Sequence, residues 1–232
     1  MKPKNYVQNT YNQISQEFSQ TRKAPWPELT IFKKYLKKNT KILDVGCGNG
    51  RFYQYIQSLN CQYTGLDISQ NLLKEAQNKY PNINFWQDDM RTMATVADQK
   101  FDAIFFIASF HHLDTEEDRL ITLKKAQKLL KQDGKIFLTN WNLFQKKYRK
   151  YLWQSFYQSW VSSLKWNDTF IPFTSTNKKK TYLRYYHAFT PWELKKLFKK
   201  ADLKIEKDFY LKKDQFTRNW LESNNLSYVL KK

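Results

Sequence analysis

The chain has 232 residues, 41% hydrophobic and 17% aromatic, enough for one substantial core. Its net charge is +19, distributed as +6 over residues 1–40, zero over 41–140 and +13 over 141–232. No apolar run of about 18 residues is present, and the first residues lack an apolar signal core. The two cysteines, Cys47 and Cys61, are too few for a zinc site or a disulfide framework. The expectation is a cytoplasmic protein with no membrane segment and no metal, whose basic flanks meet an anionic partner around a neutral centre.

Val7, Tyr11, Ile14 and Phe18 recur at helical spacing, so residues 5–20 read as an amphipathic helix. Pro25 and Pro27 bracket Trp26 and break it, and a second helix runs from Glu28 to Leu36. The sequence KILDVGCGNGRF, from Lys41 to Phe52, then joins a buried strand to a helix through Gly46, Gly48 and Gly50. This is the first βα unit of a nucleotide-binding sheet, in which glycine lets a ligand lie against bare backbone. Asp44 ends the strand. A carboxylate there disfavours pyrophosphate and favours a cationic ligand. S-adenosylmethionine, with a sulfonium, an ammonium and no phosphate, fits.

Alternation continues from there. A second strand, CQYTGLDIS, ends in Asp67, 17 residues beyond Gly50, near the spacing at which an acid accepts from ribose hydroxyls. QNLLKEAQNKY is a helix stopped by Pro81, and INFWQDDM is a third strand ending in Asp88 and Asp89, either of which can accept from an adenine amino group. KFDAIFFIASFHHL is a fourth strand buried on both faces, followed by a helix that Asp114 can cap and Gly134 ends, then a fifth strand, KIFLTNW. The pattern implies an α/β fold with a doubly wound, mostly parallel, seven-stranded sheet closed by an antiparallel C-terminal pair, KIEKDFYL and NLSYVLKK. Residues 1–232 read as one domain with a helical cap over about 1–40. An aromatic and basic insertion over about 142–190 breaks the alternation.

His111 and His112 follow strand four, on the ligand-binding edge of such a sheet. His187 lies in RYYH beside Arg184 and Tyr185, a set able to stack a base and grip a carboxylate or phosphate. No Walker lysine follows the glycines, no GxSxG elbow is present, and Cys47 has no neighbouring base. Triphosphate hydrolysis is therefore unsupported, and covalent nucleophilic catalysis is not expected.

With these residues, the glycine strand, Asp67, Asp88 and FDAIFFIASFHHL resemble a class I S-adenosylmethionine-dependent methyltransferase. FSQTRKAPWP (18–27), ASFHHL (108–113) and LRYYHAFTPWEL (183–194) resemble the eukaryotic tRNA wobble-uridine methyltransferases, which esterify a carboxymethyl group on uridine 34. The resemblance runs from about Tyr6 to the end, except for most of 142–180. It implies cofactor contacts from Asp44, Gly46, Gly48, Gly50, Asp67, Ile68, Asp88 or Asp89, Met90 and Ile107. It places Thr21, Arg22, His111, His112, Arg184, Tyr185 and His187 on the acceptor side. It also implies tRNA rather than DNA as the partner, and a small zinc-binding activator subunit. The competing readings are a small-molecule carboxyl- or O-methyltransferase with the same cofactor site, and a non-catalytic RNA-binding module.

Overall fold

The structure is a computed structural model that describes residues 3–21, 26–162, 164–175, 179–212 and 215–232. The amphipathic N-terminal stretch forms α1 (Pro3–Thr21), and α2 (Pro27–Lys33) starts on Pro27, whose fixed φ suits a first helical position. The expected break at Pro25 lies outside the described residues. Then follow β1 (Lys41–Val45), α3 (Arg51–Ile56), β2 (Gln62–Asp67), α4 (Gln70–Lys79), β3 (Asn84–Gln87), β4 (Phe101–Ile107), α5 (Glu116–Leu129) and β5 (Leu130–Trp141). The basic tract contributes α6 (Arg149–Gln158), β6 (Asp168–Thr174) and β7 (Thr181–His187). The chain closes with α7 (Pro191–Lys200), β8 (Lys204–Lys212), β9 (Gln215–Thr217) and β10 (Asn225–Lys231).

The main sheet has the order β3-β2-β1-β4-β5-β10-β8-β9. Strands β3, β2, β1, β4 and β5 pair in parallel, while β10 inserts antiparallel between β5 and β8. The described sheet thus has eight strands rather than seven, the extra one being the three-residue β9, which folds back on β8. The insertion supplies a separate antiparallel hairpin, β6 with β7. Order reverses between β1 and β4, so the loops after these strands diverge and leave a crevice at their carboxyl ends.

Alternation of side chains splits the core over the two faces of the sheet. Leu43, Val45, Ile104, Phe106, Ile136 and Leu138 pack with α5 and α7. Ile42, Ala103, Phe105, Phe137 and Val229 pack with α2, α3 and α4. Phe32, fully buried, locks α2 onto the second face, with its ring edge-on to Phe137 at 5.1 Å, Phe209 at 5.7 Å and Phe105 at 6.1 Å. A third cluster, Leu143, Leu152, Ile171, Tyr186 and Ala188, lies beneath α6 and the hairpin.

Several element ends differ from expectation, among them α2, which stops at Lys33 rather than Leu36, and both ends of α5. Thr115, not Asp114, caps α5 by accepting from the Asp118 amide at 2.9 Å. Helix α5 also stops at Leu129, before Gly134. Leu130 already pairs with Phe101 and Lys135 with Ala103, so Gly134 belongs to a bulge where a Cβ would lie 3.0 Å from the Phe101 carbonyl oxygen.

Replacing Phe32 by Ala removes three ring contacts at once. It should lower unfolding free energy by about 3–5 kcal/mol, read from urea denaturation.

Candidate functional site: a crevice with a carboxylate at one end and a buried guanidinium at the other

The turn after β1 needs left-handed backbone at three positions, with φ of +78° at Gly46, +56° at Gly48 and +72° at Gly50. At Gly46 a Cβ would stand 2.3 Å from the Ser109 Cβ, because Ser109 reaches across to donate to the Val45 carbonyl at 2.6 Å. Gly48 faces open space, with nothing closer than a Leu72 methyl at 3.9 Å. Both line the crevice. Gly50 does not. It starts α3, where a Cβ would press on Phe85 at 3.0 Å, so this glycine serves packing.

Asp44 is 1% exposed and lines the crevice. Its Oδ2 accepts from the Tyr63 hydroxyl at 2.6 Å, and its Oδ1 has no partner among the described residues. Burial pushes the carboxyl up to about 7, against the opposing pull of the Tyr63 hydrogen bond. A buried carboxylate oxygen left without a donor fits a ligand that brings positive charge. Asp67, likewise raised by burial, braces the turn: Oδ2 accepts from the Gly48 amide and Oδ1 from the Ser69 amide, both at 2.8 Å. Each oxygen keeps further acceptor capacity, and the residue lines the crevice.

Asp88 and Asp89 both line the crevice but are engaged differently. Asp88 organises its own loop, accepting from the Asp89 amide, the Thr92 hydroxyl, and the Thr95 amide and hydroxyl. Asp89 is gripped by Arg91 through Nε and Nη2, and Arg91 reaches on to Asp118. Ile68, Met90 and Ile107 supply apolar wall.

The far end is built from three elements. After β4 the backbone turns through Ala108, left-handed at φ +51°, which brings His111 and His112 into the crevice. His111 Nδ1 accepts from the Trp141 amide at 3.3 Å, and its buried Nε2 has no partner among the described residues. Burial holds His111 well below the usual histidine range and lowers His112 to about 4, so both rings are neutral near pH 7. His112 lies 2.8 Å through Nδ1 from the Tyr185 carbonyl and 3.0 Å through Nε2 from the Tyr11 hydroxyl. Val7, Tyr11 and Phe18, expected on one apolar helix face, form that part of the wall contributed by α1.

Strand β7 divides the LRYYH residues. Arg184 and Tyr186 line the crevice. Arg184 is 4% exposed and sits over the rings of Trp141, Phe173 and Tyr186 at 5.4–5.5 Å. Among the described residues its Nε and Nη1 lack hydrogen-bond partners, and no carboxylate is within ion-pair distance. Tyr185 and His187 point the other way. Their side chains meet Asp168 at 2.8 and 2.6 Å, and His187 also meets Glu193 at 2.7 Å. The fully buried Arg119 joins this network while bonding the Leu113 and Asp114 carbonyls. The structure thus separates Tyr185 and His187 from the crevice and gives them to a buried network joining the hairpin, α5 and α7. Thr21 is exposed and turned back to the Phe18 carbonyl, and Arg22 lies outside the described residues. Cys47, buried with its thiol pushed well up, is no nucleophile.

Tyr11, Ser109, Trp141 and Tyr186 are the site residues that motif reading passes over. Period two applied to RYYH would have found Tyr186.

Comparisons agree with this geometry. A methyltransferase-domain family model matches residues 42–134. An S-adenosylmethionine-dependent methyltransferase from Methanosarcina mazei superposes with a TM-score of 0.68 over 87% of this chain and 96% of its own, at 21% identity. The CcbJ methyltransferase of Streptomyces caelestis does so at 0.71 over 97% of each, at 14% identity. Fold, glycine turn and cofactor-sized crevice therefore define an S-adenosylmethionine-dependent methyltransferase.

Among sequence relatives, the tRNA (carboxymethyluridine(34)-5-O)-methyltransferase of Schizosaccharomyces pombe is 30% identical over 84% of this chain and 87% of its own length. The Saccharomyces cerevisiae protein of the same name is 31% identical over 69% of this chain. The Xenopus tropicalis relative is 35% identical over 65%. The chain belongs to the tRNA (carboxymethyluridine(34)-5-O)-methyltransferase family. It spans 58% of the budding-yeast relative and 24% of the frog one.

Asp44 generates a prediction with a defined sign. Its pKa is higher folded than unfolded, so its contribution to ligand-free stability declines as pH rises from about 4 to about 7. Asp44→Asn should abolish that decline. It should also weaken cofactor binding at least about a hundredfold, and remove the roughly fivefold gain in affinity that ionisation gives wild type between pH 6 and 7. Calorimetric titration and thermal melts across this range measure both.

Proposed function

We propose that this chain methylates the carboxylate of 5-carboxymethyluridine at the wobble position of tRNA, forming the methyl ester. The observation that carries the reading is Arg184, a buried guanidinium facing the crevice without a carboxylate of its own. Leaving a buried charge unpaired costs several kcal/mol, so the site is built for an anion supplied from outside. The relatives named above carry this activity in their names, and basic flanks suit a polyanionic carrier of the acceptor.

The cofactor end fits S-adenosylmethionine. Asp44 would meet positive charge with its unpartnered Oδ1, Gly46 and Gly48 would give the ligand bare backbone, and Asp67 would take the ribose hydroxyls. Ile68, Met90 and Ile107 would pack against the adenosine, with Asp89 or Asp88 at its polar edge. Bound there, the cofactor supplies an electrophilic methyl group on sulfur.

At the acceptor end the chain's own work is positioning. A free carboxylate has a pKa near 4 and is already ionised at neutral pH, so no base is required. Arg184 holds it through Nε and Nη1, and the rings that sandwich the guanidinium fix where it points. A contact that neutralised the carboxylate fully would blunt it as a nucleophile. A cation shared among three ring faces orients the oxygen with less loss. Neutral His111 and His112 border the nucleoside without adding charge, and Tyr186 and Trp141 offer faces for the base. In this reading residues 1–232 work as one catalytic unit, with the hairpin of the 142–190 segment carrying the acceptor side.

Incubation with methyl-labelled cofactor and bulk tRNA should label tRNA, and mild alkali should release the label as expected of an ester. Alkali-stable label, or label appearing in a metabolite extract and not in tRNA, would overturn the reading. Arg184→Ala should lower kcat/KM by about a thousandfold or more and leave cofactor affinity within about threefold. Arg184→Lys should recover only part of the loss, since an ammonium cannot reproduce the planar guanidinium between rings.

A further inference from the structure

Beyond the crevice, the segment around α6 has a surface that the core does not use. Helix α6 buries Leu152 and Ser155 against the hairpin and turns the opposite face outward. On that face stand Trp153 at 61% exposure, Tyr157 at 69% and Trp160 at 79%, with Phe156 between them in edge contact with all three. Four cations, Lys146, Lys147, Arg149 and Lys150, sit at the start of the helix, all exposed. Not one Asp or Glu occurs from residue 134 to 167. Solvent-exposed rings of this size are unusual on a soluble surface without an occupant.

We infer that this face of α6 is a stacking platform for unpaired bases of the tRNA substrate, with the neighbouring lysines and arginine on its phosphates. The inference rests on the tRNA reading above and places one part of the RNA on one element. Three observations select RNA as the occupant. The exposed apolar surface here is almost wholly aromatic, as stacking on bases needs and as aliphatic-rich protein interfaces do not. The charge beside it is of one sign and complementary to phosphate. The start of α6 is also joined to the crevice wall by a row of stacked rings. Tyr148, immediately before α6, stacks on Trp141 with a 15° interplanar angle, and Trp141 stacks on Tyr186 at 13°. Trp141 and Tyr186 are walls of the crevice beside Arg184. A single-stranded loop that places one nucleoside at Arg184 carries its neighbours along this row towards α6.

The test compares wild type with the double substitution Trp153→Ala and Trp160→Ala. A second variant carries Trp153→Phe and Trp160→Phe, which keep a ring for stacking. Each is titrated with bulk tRNA over a range of salt, and with S-adenosylhomocysteine as a control for the intact fold. The alanine variant should bind tRNA at least about tenfold more weakly. Its salt dependence should be unchanged because every cation remains, and methylation of free 5-carboxymethyluridine should be unaffected. The phenylalanine variant should recover most of the affinity. Lys146→Gln, Lys147→Gln and Lys150→Gln together should instead flatten the salt dependence by about two to three units of slope.

Equal tRNA affinity in the alanine variant and wild type would overturn the platform and leave the tRNA reading standing. Absence of tRNA binding by wild type at low salt would overturn both. Binding of wild type to phosphatidylserine vesicles, lost in the alanine variant while tRNA affinity persists, would assign the face to a lipid surface and overturn the RNA platform.

Discussion

A β-strand points successive side chains to opposite sides, and β7 depends on that pleat more than any other element does. Arg184 and Tyr186 go to the crevice, while Tyr185 and His187 go to a buried network with Asp168, Glu193 and Arg119. The first pair faces a ligand, and the second ties the hairpin to α5 and α7. Neither pair can be moved without the other, because a slip of one residue would bury Tyr185 where Arg184 stands and take His187 away from Asp168 and Glu193. The unpaired cation is therefore held in place by the paired charges behind it. That arrangement answers the energetic objection to a lone buried guanidinium. The cost of keeping Arg184 uncompensated is carried by a hairpin anchored through bonds on its far side.

The cofactor half of the crevice was readable because its signals are local. A strand, three glycines and Asp44 lie within ten residues, and Asp67 follows at the next strand end. The parallel order and the C-terminal antiparallel pair followed from alternation alone. The acceptor half was harder for a physical reason. Its geometry depends on β6 pairing with β7 across a segment where aromatic and basic residues mask any clean period. LRYYH then looks like one cluster when it is two. Asp88 and Asp89 read alike as acceptors for adenine, yet Thr92 and Thr95 bond the first and Arg91 the second. Gly50 looked like part of the cofactor turn, yet Phe85 and Tyr80 explain it. In both cases the neighbour that decides the role is a side chain whose direction is not written in the local sequence.

The N-terminal helices likewise share a stretch of sequence but not a task. Helix α2 is bolted to the sheet by Phe32. Helix α1 spans the crevice on hydrogen bonds: Gln8 to the Ile68 carbonyl, Asn12 to Ser69 and Asn71, Thr10 to the Leu183 carbonyl, and Tyr11 to His112. It thereby connects the loop after β2, at the cofactor end, to β7 at the acceptor end. The same helix therefore touches both ends of the crevice.

The bonds through Tyr11 have a direction. A peptide carbonyl only accepts, so His112 carries its hydrogen on Nδ1 and spends it on Tyr185; His112 Nε2 then takes the hydrogen of the Tyr11 hydroxyl. The Tyr11 oxygen, its own hydrogen committed, keeps only acceptor capacity, and it lines the crevice together with Arg184. From Tyr11 outward both donors point the same way, and the line stops at an amide oxygen that cannot pass a proton on. A molecule that had to shed hydrogen before reacting would find no sink along this line. One that arrives already as an anion needs none. The Tyr11–His112 wiring thus gives an acceptor a place without giving its proton a way out.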